Sequence, residues 1–185
     1  MKRAILKCAA IGAAVVFAAA PAKAQVSFYG TGGDVWVKYM GCDAAYTSDL
    51  RFGYTVGGST TQLFNCHGST VGDQVDIGPV SSGTEVIFSL FVQTTGQTYY
   101  TGPATRNPDG LVHAASSPVT GDGVYTEQFG FEDTYGGGDM DFNDTNFRVG
   151  GVTTSVTPEP SSLILAASGL GFLGLGGLRR RRNRA

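Results

Sequence analysis

The segment from Glu85 to Thr95, EVIFSLFVQTT, restricts most what this chain can fold into. Val86, Phe88, Leu90 and Val92 share one parity, while Ile87 and Phe91 occupy the other. Apolar side chains on both faces suit a strand in the middle of a sheet, covered on both sides. Nowhere between residues 25 and 156 is there a long segment with helical period. Short β-prone runs alternate instead with Gly, Ser, Thr, Asp and Asn. Val35-Trp36-Val37 is a strand core after the Gly30–Gly33 turn, and Leu50, Phe52, Tyr54 and Val56 alternate on one face. Thr60–Cys66, Gln74–Ile77, Gln97–Thr101, Val124–Phe131 and Thr145–Val149 read the same way. Val112–Val119 is weaker, and Pro118 makes it an edge strand or a loop. About eight short strands joined by turns predict an all-β fold, a single jelly-roll-like β-sandwich in preference to a barrel.

Both ends differ from this body. Lys2, Arg3 and Lys7 precede an apolar run, and Ala22-Lys23-Ala24 offers a small-x-small cleavage site, so residues 1–24 read as a secretory signal peptide. After Val156 the composition changes to Thr157-Pro158-Glu159-Pro160-Ser161-Ser162, a linker over 157–162. An uncharged run at 163–178 then reads as a C-terminal transmembrane helix, followed by a basic cytoplasmic end at 179–185. Sixteen residues rise about 24 Å, so this helix needs flanking residues to cross a ~30 Å hydrocarbon core. The intervening body, 25–156, is the exported domain.

Charge separates the same three parts. The chain totals −2, yet only Lys38, Arg51, Arg106 and Arg148 are basic between the two ends, against fourteen acidic residues, leaving the body at −10. Such a body has no basic face for nucleic acid and suits divalent cations. Cys8 leaves with the signal, so Cys42 and Cys66 remain, and an oxidising compartment favours a disulfide between them. That link contributes about 3 kcal/mol where the geometry is unstrained.

Five carboxylates crowd the stretch before Arg148: Glu132, Asp133, Asp139, Asp141 and Asp144, with Asn143 among them. Like charges that close repel unless they splay into water or share a cation. Read as extended chain, Met140 and Phe142 point one way and Asp139, Asp141 and Asn143 the other, which would line oxygen ligands along one face. The reversed parity of Phe147 and Val149 calls for a bulge between Asn143 and Asn146. The spacing is not an EF-hand, because Asp144 stands where its glycine would be and Gly150 where its glutamate would be. Two readings stay open: a Ca²⁺ site using all six residues, or a solvated acidic loop capped by Asx-turns.

Phe131-Glu132-Asp133 followed by Gly137-Gly138-Asp139-x-Asp141-x-Asn143-Asp144 resembles the closing signature of an uncharacterised bacterial exported-domain family. The resemblance implies a β-rich secreted domain with a calcium or ligand role and no known catalysis. Pro158, Glu159 and Pro160, then an apolar helix, then Arg179–Arg182, resemble the PEP-CTERM sorting signal. That implies recognition by an exosortase, insertion in the inner membrane, and transfer to the envelope or release. It also implies exopolysaccharide-producing bacteria. An ordinary C-terminal anchor is the competing reading of the same tail.

The sequence holds no G-x-S-x-G, HExxH or P-loop, and His67 and His113 lie in no nucleophile setting. The expectation is a non-enzymatic, Ca²⁺-stabilised envelope or matrix protein acting in adhesion, exopolysaccharide contact or matrix structure. Tyr99, Tyr100, Tyr125 and Tyr135 are candidate sugar-stacking aromatics. The alternative is a secreted carbohydrate-active enzyme using carboxylates such as Glu132 and Asp141.

Overall fold

The computed structural model describes residues 25–157. The expected signal peptide, the Pro158–Pro160 motif, the apolar run at 163–178 and the arginine end lie outside the described residues. Among the described residues no helix is long and apolar enough to cross a membrane.

The chain is all-β. In order come β1 (Gln25–Gly30), β2 (Asp34–Gly41), β3 (Ser48–Gly53), β4 (Thr61–Asn65), β5 (Gln74–Pro79), β6 (Glu85–Val92), β7 (Gln97–Tyr100), β8 (Ala114–Asp122), β9 (Tyr125–Phe131), β10 (Thr145–Gly150) and β11 (Val152–Thr157). A 3-10 turn at Ala104–Arg106 interrupts the connection from β7 to β8. One sheet runs β11-β1-β6-β3-β4, with β7 also paired to β6, and the other runs β5-β2-β10-β9-β8. Every pairing is antiparallel.

The two sheets face each other across aromatic side chains. Phe28 of β1 meets Phe129 of β9 edge-on at 4.0 Å between ring centres, and Phe88 of β6 meets Phe147 of β10 at 5.1 Å. Val86, Phe88, Leu90 and Val92 are buried in this core. Phe91, on the other parity, carries the Arg51 guanidinium 4.2 Å above its ring. The double-sided strand is therefore central, as its pattern predicts. β1 pairs with β11 and β2 with β10 across long sequence separations, whereas β3–β4 and β8–β9 are hairpins of consecutive strands, each with one register shift.

Three differences from the sequence reading have physical causes. Among the described residues there are eleven strands, because β1 and β11 each pair with a partner from the opposite end of that segment. The run from Leu50 stops at Gly53, where a turn closed by Gly58 N–H on the Thr55 carbonyl leaves Tyr54 and Val56 exposed. The weak segment begins at Ala114 and is a true edge strand, with Pro118 exposed on it.

Cys42 and Cys66 form the disulfide, with Cα atoms 5.6 Å apart. It joins the end of β2 in one sheet to the end of β4 in the other. Tyr39 O–H donates to the Cys66 carbonyl at 2.8 Å beside it. Just past this link, Asp43 N–H donates to the Asn143 carbonyl, which ties the cross-linked corner to the acidic segment.

Candidate metal centre

The acidic residues occupy the connection between β9 and β10, adjacent strands in the middle of one sheet. Its start is clamped by a buried histidine. Glu132 N–H donates to the His113 carbonyl, and His113 Nδ1 contacts the Glu132 carbonyl, both at 2.9 Å. His113 Nε2 lies 2.8 Å from Asp109 Oδ2, which also accepts Gly136 N–H at 2.8 Å. The imidazole thus bridges the Glu132 carbonyl and the Asp109 carboxylate. Burial pushes the Asp109 carboxyl up, but donors from Gly136, His113 and Leu111 outweigh it and hold the group below its usual range. Tyr99 stacks on the imidazole at 3.8 Å, closing the pocket.

Beyond this clamp the chain is not extended. Gly137 N–H bonds the Thr134 carbonyl and Met140 N–H the Gly137 carbonyl, and Met140 and Phe142 adopt φ of 60° and 57°. Left-handed backbone at non-glycine residues is strained. The single-face row of ligands expected from strand parity is thus incorrect: Met140 is exposed while Phe142 is buried. The register shift of β10 against β2 falls between Asn146 and Phe147. Two glycines make room for the loop. A Cβ at Gly130 would stand 1.7 Å from the Phe142 carbonyl oxygen, and one at Gly138 2.7 Å from Glu132 Oε2.

Folding the loop this way gathers Glu132, Asp139 and Asp141, whose carboxylate oxygens lie within 4.8 Å of one another. The Glu132 carboxylate also accepts Phe142 N–H. Asp144 Oδ2 accepts Asp133 N–H at 2.8 Å. Glu132, Asp133, Asp139 and Asp144 share a cleft of about 390 Å³ with Ala45, Tyr46, Thr134 and Gly138. Asn143 lies apart from it. Its backbone and side-chain amides donate to Asp141, and with Asp141 it borders a polar groove floored by Ser116, Ser117 and Gln128.

Electrostatics in the cleft run against ionisation. Burial pushes Glu132 up to about 7, with further repulsion from Asp144, Asp139 and Asp141 and partial relief from Phe142 N–H. Burial, then the charge of Asp133, pushes Asp144 up to about 6. Asp133 is raised by burial as well, and its buried Oδ2 accepts no hydrogen bond. The Thr134 hydroxyl, which donates to Asp133 Oδ1, and then the neighbouring Asp144 carboxyl offset part of that rise. None of the ion pairs among the described residues brings a lysine or arginine here: Lys38 and Arg148 pair with Asp122, Arg51 with Asp49, and Arg106 with Glu85. Crowded carboxylate oxygens, buried at Glu132 and Asp133 and exposed at Asp139 and Asp141, with no cationic side chain among them match the donor set of a hard divalent cation.

Other candidates fare differently. Cys42, Cys66 and His67 are close together, but the sulfurs are spent in the disulfide and leave no thiolate. Tyr99 and Tyr125 are buried and offer no stacking face, whereas Tyr135 is exposed. The pairing of His113 with Asp109 was not legible in the sequence. Their only signal is a spacing of four inside a turn-rich stretch, which gives no hint that the pair is buried.

Compared with known proteins, residues 72–151 match a family described as a domain of unknown function (DUF4114). Residues 156–182 match the PEP-CTERM protein-sorting motif. No curated protein and no solved structure matches the chain.

Proposed function

We propose that this exported, exosortase-sorted chain is a non-enzymatic module of the cell envelope or extracellular matrix whose acidic cleft binds Ca²⁺. The observation that carries the reading is the convergence of Glu132, Asp133, Asp139 and Asp144 on one cleft, with Asp133 Oδ2 buried and without a hydrogen-bond donor. Leaving such a group without a donor costs several kcal/mol. A cation removes that cost and the repulsion among Glu132, Asp139, Asp141 and Asp144 together. Calcium takes six to eight oxygens and tolerates irregular geometry, which suits a loop of this kind. Bound there, it would rigidify the surface that meets adhesion partners, matrix or exopolysaccharide. Melting with Ca²⁺ and with chelator tests this, using Asp139→Asn plus Asp141→Asn as the comparison. The parent gains thermal stability in Ca²⁺ and the double variant does not; identical gains in both would refute the site.

One feature favours the rival reading of a carbohydrate-active enzyme. A glutamic acid held near neutrality beside more acidic carboxylates has the properties of a general acid. Turnover of a polysaccharide that disappears in a folded Glu132→Gln variant would establish it.

A further inference from the structure

The groove that Asp141 and Asn143 border lies on the outer face of the second sheet and encloses about 280 Å³. Strand register explains the depression. Ala115, Gly130 and Asn146 stand side by side across β8, β9 and β10, so the middle of this row carries almost no side-chain bulk. Ser117 and Gln128 stand one row along on the same face, where side chains two residues apart point the same way. The left-handed turn at Phe142 brings the acidic loop over the other side.

The polar groups left over here form a matched set. Gln128 Oε1 accepts Arg148 Nε–H at 3.1 Å, and among the described residues nothing accepts from the Gln128 amide nitrogen. The Ser116 and Ser117 hydroxyls likewise have no partner among the described residues. Asn146 Nδ2 donates to the Asn143 carbonyl at 2.7 Å and Asn143 Nδ2 to Asp141 Oδ2 at 2.6 Å, so both side-chain oxygens remain as acceptors. Asn146 Oδ1 overhangs the middle of the groove, since a Cβ at Gly130 would lie 3.1 Å from it. Unused donors and acceptors in one small space complement hydroxyl groups, which both donate and accept.

Charge and size narrow the ligand further. Arg148 is committed to Asp122 and Gln128, and Asp141 is the one charged side chain lining the groove, so an anion is repelled. The volume sits at the foot of the range for small-molecule clefts, about 300–1,000 Å³, which leaves room for a single ring.

We propose that this groove binds one neutral sugar ring of an extracellular polysaccharide, with Ser117, Gln128 and Asn146 bonding its hydroxyls. The acidic cleft presets it. Asp141 belongs to the carboxylate cluster with Glu132 and Asp139, and the same carboxylate accepts the backbone and side-chain amides of Asn143. A cation that fixes Asp141 therefore fixes Asn143 at the rim. This coupling rests on the Ca²⁺ reading; the lining of the groove does not.

A polysaccharide array tests both parts. The full chain, in a detergent without a sugar head group, is applied to dextran, mannan, galactan and xylan, with alginate and hyaluronate as acidic controls. In Ca²⁺ it binds a neutral polymer and neither acidic one. Gln128→Ala and, separately, Ala115→Leu, which fills the middle of the groove, each weaken that binding at least about ten-fold. Both keep the parent's Ca²⁺-induced rise in melting temperature, which shows that the fold and the cation site survive. Chelator weakens the parent's binding as well. Equal binding in Ca²⁺ and in chelator would overturn the coupling through Asp141 while the groove stands. Failure to bind any neutral polymer, or parent-level binding by Ala115→Leu, would overturn the groove, and an intact Ca²⁺ melting shift would then leave the metal site standing.

Discussion

Two carboxylate sites of this molecule are built in opposite ways. Asp122, on an edge strand, receives Lys38 on both oxygens and Arg148 on Oδ2. Those hydrogen bonds hold its carboxyl below the usual range. The cleft at the β9–β10 connection concentrates more carboxylates, and burial pushes those of Glu132, Asp133 and Asp144 up. The body has four basic side chains and commits each to an acid elsewhere. None of these four reaches the cluster at the β9–β10 connection.

The largest effect that separates the regions comes from the glycine beneath the acidic loop. Gly130→Val drives a side chain into the Phe142 carbonyl and lifts the loop. Urea unfolding will show a loss of about 3 kcal/mol, and the Ca²⁺ response will vanish with it. If the variant keeps that response, the loop is not what gathers the ligands.

Asp133→Asn sharpens the comparison with a change of sign. In chelator it removes an uncompensated buried charge, so the variant melts no lower than the parent. In Ca²⁺ the order reverses, because a ligand is gone. A variant less stable than the parent in both conditions would mean that Asp133 serves packing alone.

The pH dependence also has opposite signs in the two regions. Glu132 at about 7 and Asp144 at about 6 lie above their ordinary values of 4.5 and 3.8, so the folded state holds their protons more tightly than the unfolded chain. Without divalent cation, stability therefore rises as pH falls from about 8 towards 5. The depressed Asp122 works the other way, contributing above its ordinary value and losing that contribution as pH falls through its lower folded value. Melting curves in chelator across this range read the first effect; a flat or falling profile on acidification from pH 8 contradicts the cleft electrostatics. Saturating Ca²⁺ flattens or inverts the slope, since the ion needs ionised ligands.

The smallest effect is at the surface. Asp122→Asn lowers the melting temperature slightly, more at low salt than at high, and leaves the Ca²⁺-induced shift untouched.

How far the sequence carried depends on the range of each interaction. β6 was legible because its double-sided pattern is local, and the disulfide because export leaves Cys42 and Cys66 as a pair. Glu132, Asp139 and Asp141 were identified from composition, though strand parity gave the wrong geometry, since it cannot foresee Met140 and Phe142 turning left-handed. β1 and β11 stabilise each other across the whole length of the body, so neither carries a strong signal alone. The His113–Asp109 clamp was hidden for a related reason. Only the tertiary burial of both groups makes the pair matter.

The most direct measurement is calorimetric titration of Ca²⁺ into the folded body, residues 25 to 157, stripped of metal at pH 7.5. The account predicts saturable binding with a Kd at or below about 1 mM, lost in Asp139→Asn plus Asp141→Asn. Absence of binding heat, together with the same melting temperature in Ca²⁺ and in chelator, would contradict it.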